Sequence, residues 1–278
     1  MDPPEPIGLI AGWGQFPALY ARKAKSLGIP VVCVGIRGMA DRAAIEPHCR
    51  RFYWTRLASL GRPIRCFRRE GVRRWTMAGK VFKARLFSGF RWLTLLPDLR
   101  MIRFWFFRPR RDNADDTITL GLIEEFARHG LVCTSALDLC PELLVRHGVL
   151  TRRHPSLREE ADIKYGWHLA KEMGRLDVGQ SVAVRERAAL AVEAIEGTDA
   201  AIRRAGELCP AGGIVVVKVA KPQQDMRFDV PTVGPSTIQS MKAAGGTALA
   251  IEADRTILID EAETMRLADE AGIAIVAR

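Results

Sequence analysis

Between Lys218 and Asp229 the chain gathers two carboxylates, Asp225 and Asp229, three cations, Lys218, Lys221 and Arg227, and the amide of Gln224. Carboxylates hold hard divalent cations, and lysine and arginine offset charge on phosphoryl oxygens, so this set suits phosphate chemistry assisted by a metal. The same residue types also make an ordinary salt-bridged surface loop. What separates the two readings is the element that carries the loop.

That element is a strand. Val215, Val216, Val217 and Val219 form a nearly unbroken β-branched run, the pattern of a strand covered on both faces, and Lys218 interrupts it. Pro222 stops it, and Pro231, Gly234 and Pro235 close the loop. Ligands of open α/β sheets sit just outside the carboxyl ends of strands, where this loop falls. Upstream, Ser181–Val184 and Ala189–Glu196 read as a hairpin around Arg185-Glu-Arg187. In the second strand, expected to neighbour Val215–Val219, Glu193 and Glu196 would face opposite sides of the sheet. Gly197-Thr-Asp opens a helix with Thr198 as cap and Asp199 favoured by the dipole; its free amides could also receive phosphate oxygens. Further helices are expected over Glu159–Gly174, Pro235–Ala244 and Asp260–Ala271, the last capped by Asp260.

The amino-terminal half begins as a βα unit. Ile7–Ala11 is a short strand, Gly12-Trp-Gly14 a glycine turn with Gln15 after it, and Pro17 suits the first turn of a helix ending at Gly28. A second strand at Pro30–Gly35 makes a βαβ start and implies a parallel, Rossmann-like sheet. The dinucleotide pattern G-x-G-x-x-G is incomplete, because Pro17 stands where its third glycine belongs. A turn meeting a sugar-nucleotide and a tight turn with no ligand both fit. Arg56–Arg69 reads as a helix, Gly71–Lys80 as a turn into a strand, Ile118–His129 as a helix capped from Asp112, and Leu131–Thr134 as a further strand. The expected fold class is α/β, an amino-terminal Rossmann-like parallel-sheet domain over 1–136 followed by a mixed-sheet α/β domain over 137–278.

The formal net charge of +10 is uneven: Arg62–Arg111 holds fifteen Lys/Arg against Glu70 and Asp98. Such an imbalance speaks for anionic partners and says nothing about fold. Between Phe82 and Phe107 basic and aromatic residues interleave, a composition of headgroup-layer contact, of single-strand nucleic-acid binding, or of an amphipathic helix pair with snorkelling arginines. Bulky aliphatics among them favour a membrane surface over nucleic acid. Six scattered cysteines, with no Cys-x-x-Cys, indicate neither zinc nor a disulfide framework and read as reduced thiols. No secretory signal or spanning segment is read, so a cytoplasmic or peripheral protein is expected.

Three segments, Gly174–Ser181, Ala191–Arg203 and Val217–Pro231, resemble the signature stretches of the LpxI family. Gly8–Gly12, Gly71–Lys80 and Ile163–Trp167 extend the resemblance over essentially the whole chain. It implies a hydrolase of lipid A biosynthesis, generally using magnesium (or manganese), that cleaves UDP-2,3-diacylglucosamine to UMP and 2,3-diacylglucosamine 1-phosphate (lipid X), water attacking the α-phosphorus. Carried onto this sequence, it makes Asp225 the essential carboxylate and metal ligand, with Asp229 second and Lys218 and Lys221 beside them. Gly12, Gly14, Gln15, Lys80, Thr198, Asp199, Gln224 and Arg227 are the substrate-binding candidates. The expected partners are this substrate and product, transient contact with an anionic membrane surface, and a second copy of the chain, without nucleic acid. Alternatives are a nucleotide-dependent oxidoreductase, suggested by the first βα turn, and a basic nucleic-acid-binding module built on Arg62–Arg111.

Overall fold

The computed structural model describes residues 4–81, 97–107 and 115–278. Most of the basic-aromatic stretch from Phe82, and the Asp112 cap, lie outside the described residues. The chain divides into two compact units, Met1–Pro141 and Glu142–Arg278.

The first unit runs β1 (Ile7–Ala11), α1 (Phe16–Ser26), β2 (Val31–Ile36), α2 (Arg42–Ile45), β3 (Arg51–Thr55), α3 (Gly61–Arg69), β4 (Arg74–Ala78), α4 (Leu99–Phe107), α5 (Asp115–Ala127) and β5 (Val132–Cys133). All five strands are parallel, in the order β3-β2-β1-β4-β5, so the order reverses between β1 and β4. Every residue of β2 is buried, as its apolar run requires when helices cover both faces. In α3, Ile64 and Phe67 turn inward while Arg62, Arg65, Arg68 and Arg69 face out, the amphipathic division of a surface helix. Phe67 meets Trp75, which stacks on Phe126 at 4.2 Å between ring centroids. Gly8 is required there, since a β-carbon would stand 2.8 Å from the Phe67 ring. The expected helix over Arg56–Arg69 starts only at Gly61, and β3 before it is an edge strand that sequence reading passed over. Its Phe52, Tyr53 and Trp54 are all half-buried, so no in-out alternation marks them.

The second unit runs β6 (Gly148–Val149), α6 (Leu157–Arg175), β7 (Ser181–Arg185), β8 (Ala188–Val192), α7 (Thr198–Leu208), β9 (Ile214–Lys218), β10 (Thr232–Val233), α8 (Pro235–Ala243), β11 (Gly246–Ile251), β12 (Ile257–Leu258), α9 (Glu261–Glu270) and β13 (Ala274–Ala277). Its main sheet is mixed, ordered β6-β13-β11-β9-β7-β8, with β9, β11 and β13 parallel and β6, β7 and β8 antiparallel to their neighbours. Thus β7, and not β8, borders β9. Val215 and Val217 pack with Ile163 and Ala170 of α6, while Ile214 and Val216 pack with Ile202, Ile238 and Ala268 of α7, α8 and α9. Burying each such valine or isoleucine stabilises the fold by about 1.5–3 kcal/mol. Close packing fixes two glycines: a β-carbon at Gly166 would stand 2.8 Å from Val217 Cγ2, and one at Gly179 only 2.0 Å from the Glu193 carbonyl oxygen. A capping box, Ser156 with Glu159, starts α6.

Candidate active site

Strand β9 ends in a buried polar knot. Period two places Lys218 on the face of Ile214 and Val216, under the start of α7. Its ammonium donates to Thr198 Oγ1 at 3.0 Å and to the Thr232 carbonyl at 2.9 Å. Thr198 donates in turn to Glu193 Oε1 at 2.9 Å, and Ser181 Oγ lies 3.3 Å from the same hydroxyl. Lys218, Thr198, Ser181 and Glu193 are all buried, and Glu193 Oε2 has no hydrogen-bond partner among the described residues.

Two expectations are corrected here. Strand β8 stops at Val192, so Glu193 and Glu196 do not alternate across a sheet: Glu193 turns inward to Thr198, while Glu196 takes the Ala194 amide and the Arg204 guanidinium at the surface. The cap of α7 is Gly197, at φ +85°, and the Thr198 hydroxyl is free for the knot because it caps nothing. Asp199, in the first turn, is half-buried. At α9 likewise, Asp260 occupies the cap position without a side-chain cap bond.

Beyond β9 the chain is pinned at every few residues. Glu252 Oε2 accepts the Ala220 amide at 2.7 Å and the Lys171 ammonium at 2.6 Å. Lys221 reaches back to Asp177 at 2.5 Å, and Gly174 lets α6 approach the Lys221 backbone, a β-carbon there lying 3.2 Å from Lys221 Cα. Gln224 uses both ends of its amide, its oxygen accepting the Lys221 N–H at 2.8 Å and its nitrogen donating to Asp229 Oδ2 at 2.7 Å. The Asp229 amide donates to the Asp225 carbonyl at 3.1 Å, closing a single turn that brings these two residues to its two ends. Arg227 grips Asp225 through Nε and Nη2 at 2.9 and 2.5 Å. That guanidinium, with the Arg227 amide, holds the Asp225 carboxyl below the usual carboxylate range.

Apart from Asp199, the sequence candidates of the second unit therefore fall into two groups: Lys218 with Thr198, and Lys221, Gln224, Asp225, Arg227 and Asp229 in one loop. Asp177, Glu193, Glu252 and Lys171 complete the arrangement and were not singled out as site residues. Asp177 sits within the Gly174–Ser181 segment, which is the signal that could have found it.

The first unit positions the remaining candidates. Gly12 donates to the Ala78 carbonyl at 2.8 Å, and Trp13 and Lys80 exchange backbone hydrogen bonds of 2.9 and 2.8 Å. The turns after β1 and β4 are thereby zipped together at the point where strand order reverses, the usual ligand position of such sheets. Their approach needs glycine twice: a β-carbon at Gly12 would stand 2.7 Å from the Lys80 carbonyl, and one at Gly79 2.7 Å from that of Trp13. Gly14, at φ +104°, is half-buried, Gln15 and Lys80 are exposed, and Gln15 occupies the cap position of α1 without a side-chain cap bond.

Sequence comparison bears on this geometry. The LpxI N-terminal domain matches residues 6–143 and the LpxI C-terminal domain residues 146–276. The chain is 30% identical over 282 aligned positions to the UDP-2,3-diacylglucosamine pyrophosphatase LpxI of Caulobacter vibrioides, covering 97% of this chain and 96% of that protein. With both domains matched in order, and the Asp225 loop inside the second, the chain belongs to the LpxI family.

Proposed function

We propose that this protein hydrolyses the pyrophosphate of UDP-2,3-diacylglucosamine, giving UMP and 2,3-diacylglucosamine 1-phosphate, at the loop that follows β9. The observation that carries the reading is the single backbone turn that joins Asp225 and Asp229 in the loop after a buried strand, inside a family whose Caulobacter member bears that activity in its name. The water oxygen bonds to the α-phosphorus, the bond from that phosphorus to the bridging oxygen breaks, and the bridging oxygen leaves on the glucosamine phosphate, the two protons of the water being released as both products become phosphate monoester dianions.

A carboxyl held below its usual range is a weak base at neutral pH, so Asp225 orients the attacking water and stays charged while doing so. Arg227, exposed at the loop surface, offsets charge developing on the phosphoryl oxygens. Lys221 and Gln224 hold the turn, and Lys218 holds its root. Two carboxylates on one turn fit a hard cation that keeps most of its own water, and no cluster of three acidic, histidine or cysteine side chains exists among the described residues. Asp225, with Asp229 beside it, would hold magnesium or manganese, which when bound supplies Lewis-acid polarisation of a phosphoryl oxygen. Among the described residues no helix is long and apolar enough to cross a membrane. The reading includes transient contact with an anionic membrane surface, where Leu99 and Ile102 are exposed beside Arg103 on α4.

The test is UMP release by the purified protein from UDP-2,3-diacylglucosamine in oxygen-18 water, with magnesium and with excess chelator. Metal-dependent release with the label in UMP is the expected result. Absence of release under magnesium and manganese alike would overturn the reading, and label in the sugar phosphate would overturn the site of attack.

A further inference from the structure

We propose that the amino-terminal unit carries a phosphate-binding pocket at the carboxyl ends of β2 and β3. A cavity of about 370 Å³ opens there, lined by Arg37 after β2, Trp54 and Arg56 at the end of β3, and Arg62 and Arg65 in the first turns of α3, with Asp98 at its edge. The Arg37 amide donates to the Thr55 carbonyl at 2.9 Å, so the two strand ends form one rim.

The electrostatics of this rim are lopsided. Among the described residues none of the four guanidinium groups is in an ion pair. The single carboxylate, Asp98, is already spent: Oδ2 accepts from Ser59 Oγ at 2.8 Å and from the Gly61 amide at 2.6 Å, and Oδ1 from the Met101 amide at 2.8 Å. It thus caps the start of α3 and of α4 and leaves the arginines to one another. Four like charges around one concavity repel, and a bound multivalent anion relieves that repulsion while the concave wall concentrates the field. Guanidinium forks match tetrahedral phosphate oxygens two at a time, which distinguishes this rim from a patch of lysines.

Size and shape narrow the ligand. The cavity is near the lower end of small-molecule sites, typically about 300–1,000 Å³, so it takes one phosphate or pyrophosphate and the group attached to it. Phe52 meets Trp54 edge-on at 5.0 Å between ring centroids, which fixes the indole as an apolar wall for that attached group. Ligands of parallel sheets bind at this end of the strands, and the pocket lies to the β2–β3 side of the closed turns after β1 and β4. The shared chemistry is a phosphate ester or anhydride, carried either by a soluble molecule or by a lipid headgroup.

The inference does not rest on the hydrolytic reading, because its test is binding. The full chain and an Arg56→Gln/Arg62→Gln variant are titrated with UMP and with inorganic pyrophosphate by calorimetry. Both are also sedimented with phosphatidylcholine vesicles with and without phosphatidylglycerol. The variant is expected to melt at the wild-type temperature and to bind at least one class of probe about tenfold or more weakly, a loss of the size expected for charge-assisted contacts. Loss confined to UMP or pyrophosphate assigns the pocket to a soluble phosphorylated molecule, and loss confined to phosphatidylglycerol vesicles assigns it to a headgroup. Wild-type binding to every probe in the variant overturns the proposal, as does a wild-type chain that binds none of them. Hydrolysis without pocket binding would leave the site in the second unit standing and remove this one.

Discussion

Replacing Lys218 by Met removes an ammonium of similar length from the end of β9 and tests whether the buried knot holds the second unit together. Lys218 and Glu193 are 4% and 8% exposed, and Thr198 bridges them with hydrogen bonds of 3.0 and 2.9 Å. Methionine keeps the volume, so the loss is electrostatic: the buried Glu193 loses the cation that Thr198 links to it, and the Thr232 carbonyl loses the Lys218 donor. Removing one partner of a buried, hydrogen-bonded charge set costs about 3–5 kcal/mol, a large share of a typical total of roughly 5–15 kcal/mol. The amides of Ile214–Lys218 lie at the sheet centre between β7 and β11, so their hydrogen exchange reports global opening of the unit. At one decade per 1.4 kcal/mol, exchange there should accelerate by roughly 10²- to 10³·⁵-fold. Adding Glu193→Gln should return much of that loss, since it removes the stranded carboxylate, leaving a coupling of about 1–2 kcal/mol or more. Exchange within about threefold of wild type in Lys218→Met, or strict additivity in the double variant, would refute the reasoning.

Two pH effects follow from the acids. Burial alone would raise the Glu159 carboxyl, but the Arg153 guanidinium and the Ser156 amide outweigh it and hold the group at about 2 against an ordinary 4.5. A depressed folded value gives stability that is complete above the unfolded pKa and lost as pH falls through the folded one. The second unit should therefore weaken between pH 4.5 and about 2, and the curve of Glu159→Gln should be flatter over that window; parallel unfolding curves would contradict this. Arg227→Gln removes the group that lowers Asp225, so the acid limb of kcat/KM should move to higher pH, and an unmoved limb would show that Asp225 does not titrate there.

The strand and its loop were legible because their signals are local. A valine run of β-branched residues marks a doubly covered strand wherever it occurs, and Pro222 and Pro231 bound the loop by removing backbone donors. The mixed sheet followed from the hairpin signal at Arg185-Glu-Arg187, where Glu186 and Arg187 both adopt positive φ. What sequence could not give was direction. Glu193 reads as a strand residue, yet the strand ends one position earlier and the side chain turns in to meet a threonine across the chain. The roles of Gln224 and Lys221 were equally hidden, since an amide that braces a turn and one that binds substrate have the same identity. Gly12 was visible as a turn residue, but the backbone zip between Trp13 and Lys80 depends on a pairing 67 positions apart. Strand β3 escaped because an edge strand of three half-buried aromatics carries no period.

The most direct test of the account replaces Asp225 by Asn, which keeps the side chain's size and removes its charge. UMP release from UDP-2,3-diacylglucosamine under saturating magnesium is followed beside the circular dichroism and melting temperature of the variant. The account predicts loss of about two orders of magnitude or more in kcat, the usual scale for a preorganised charged group, with folding unchanged. Turnover near the wild-type rate in a folded Asp225→Asn protein would contradict it and move the reacting phosphorus away from this loop.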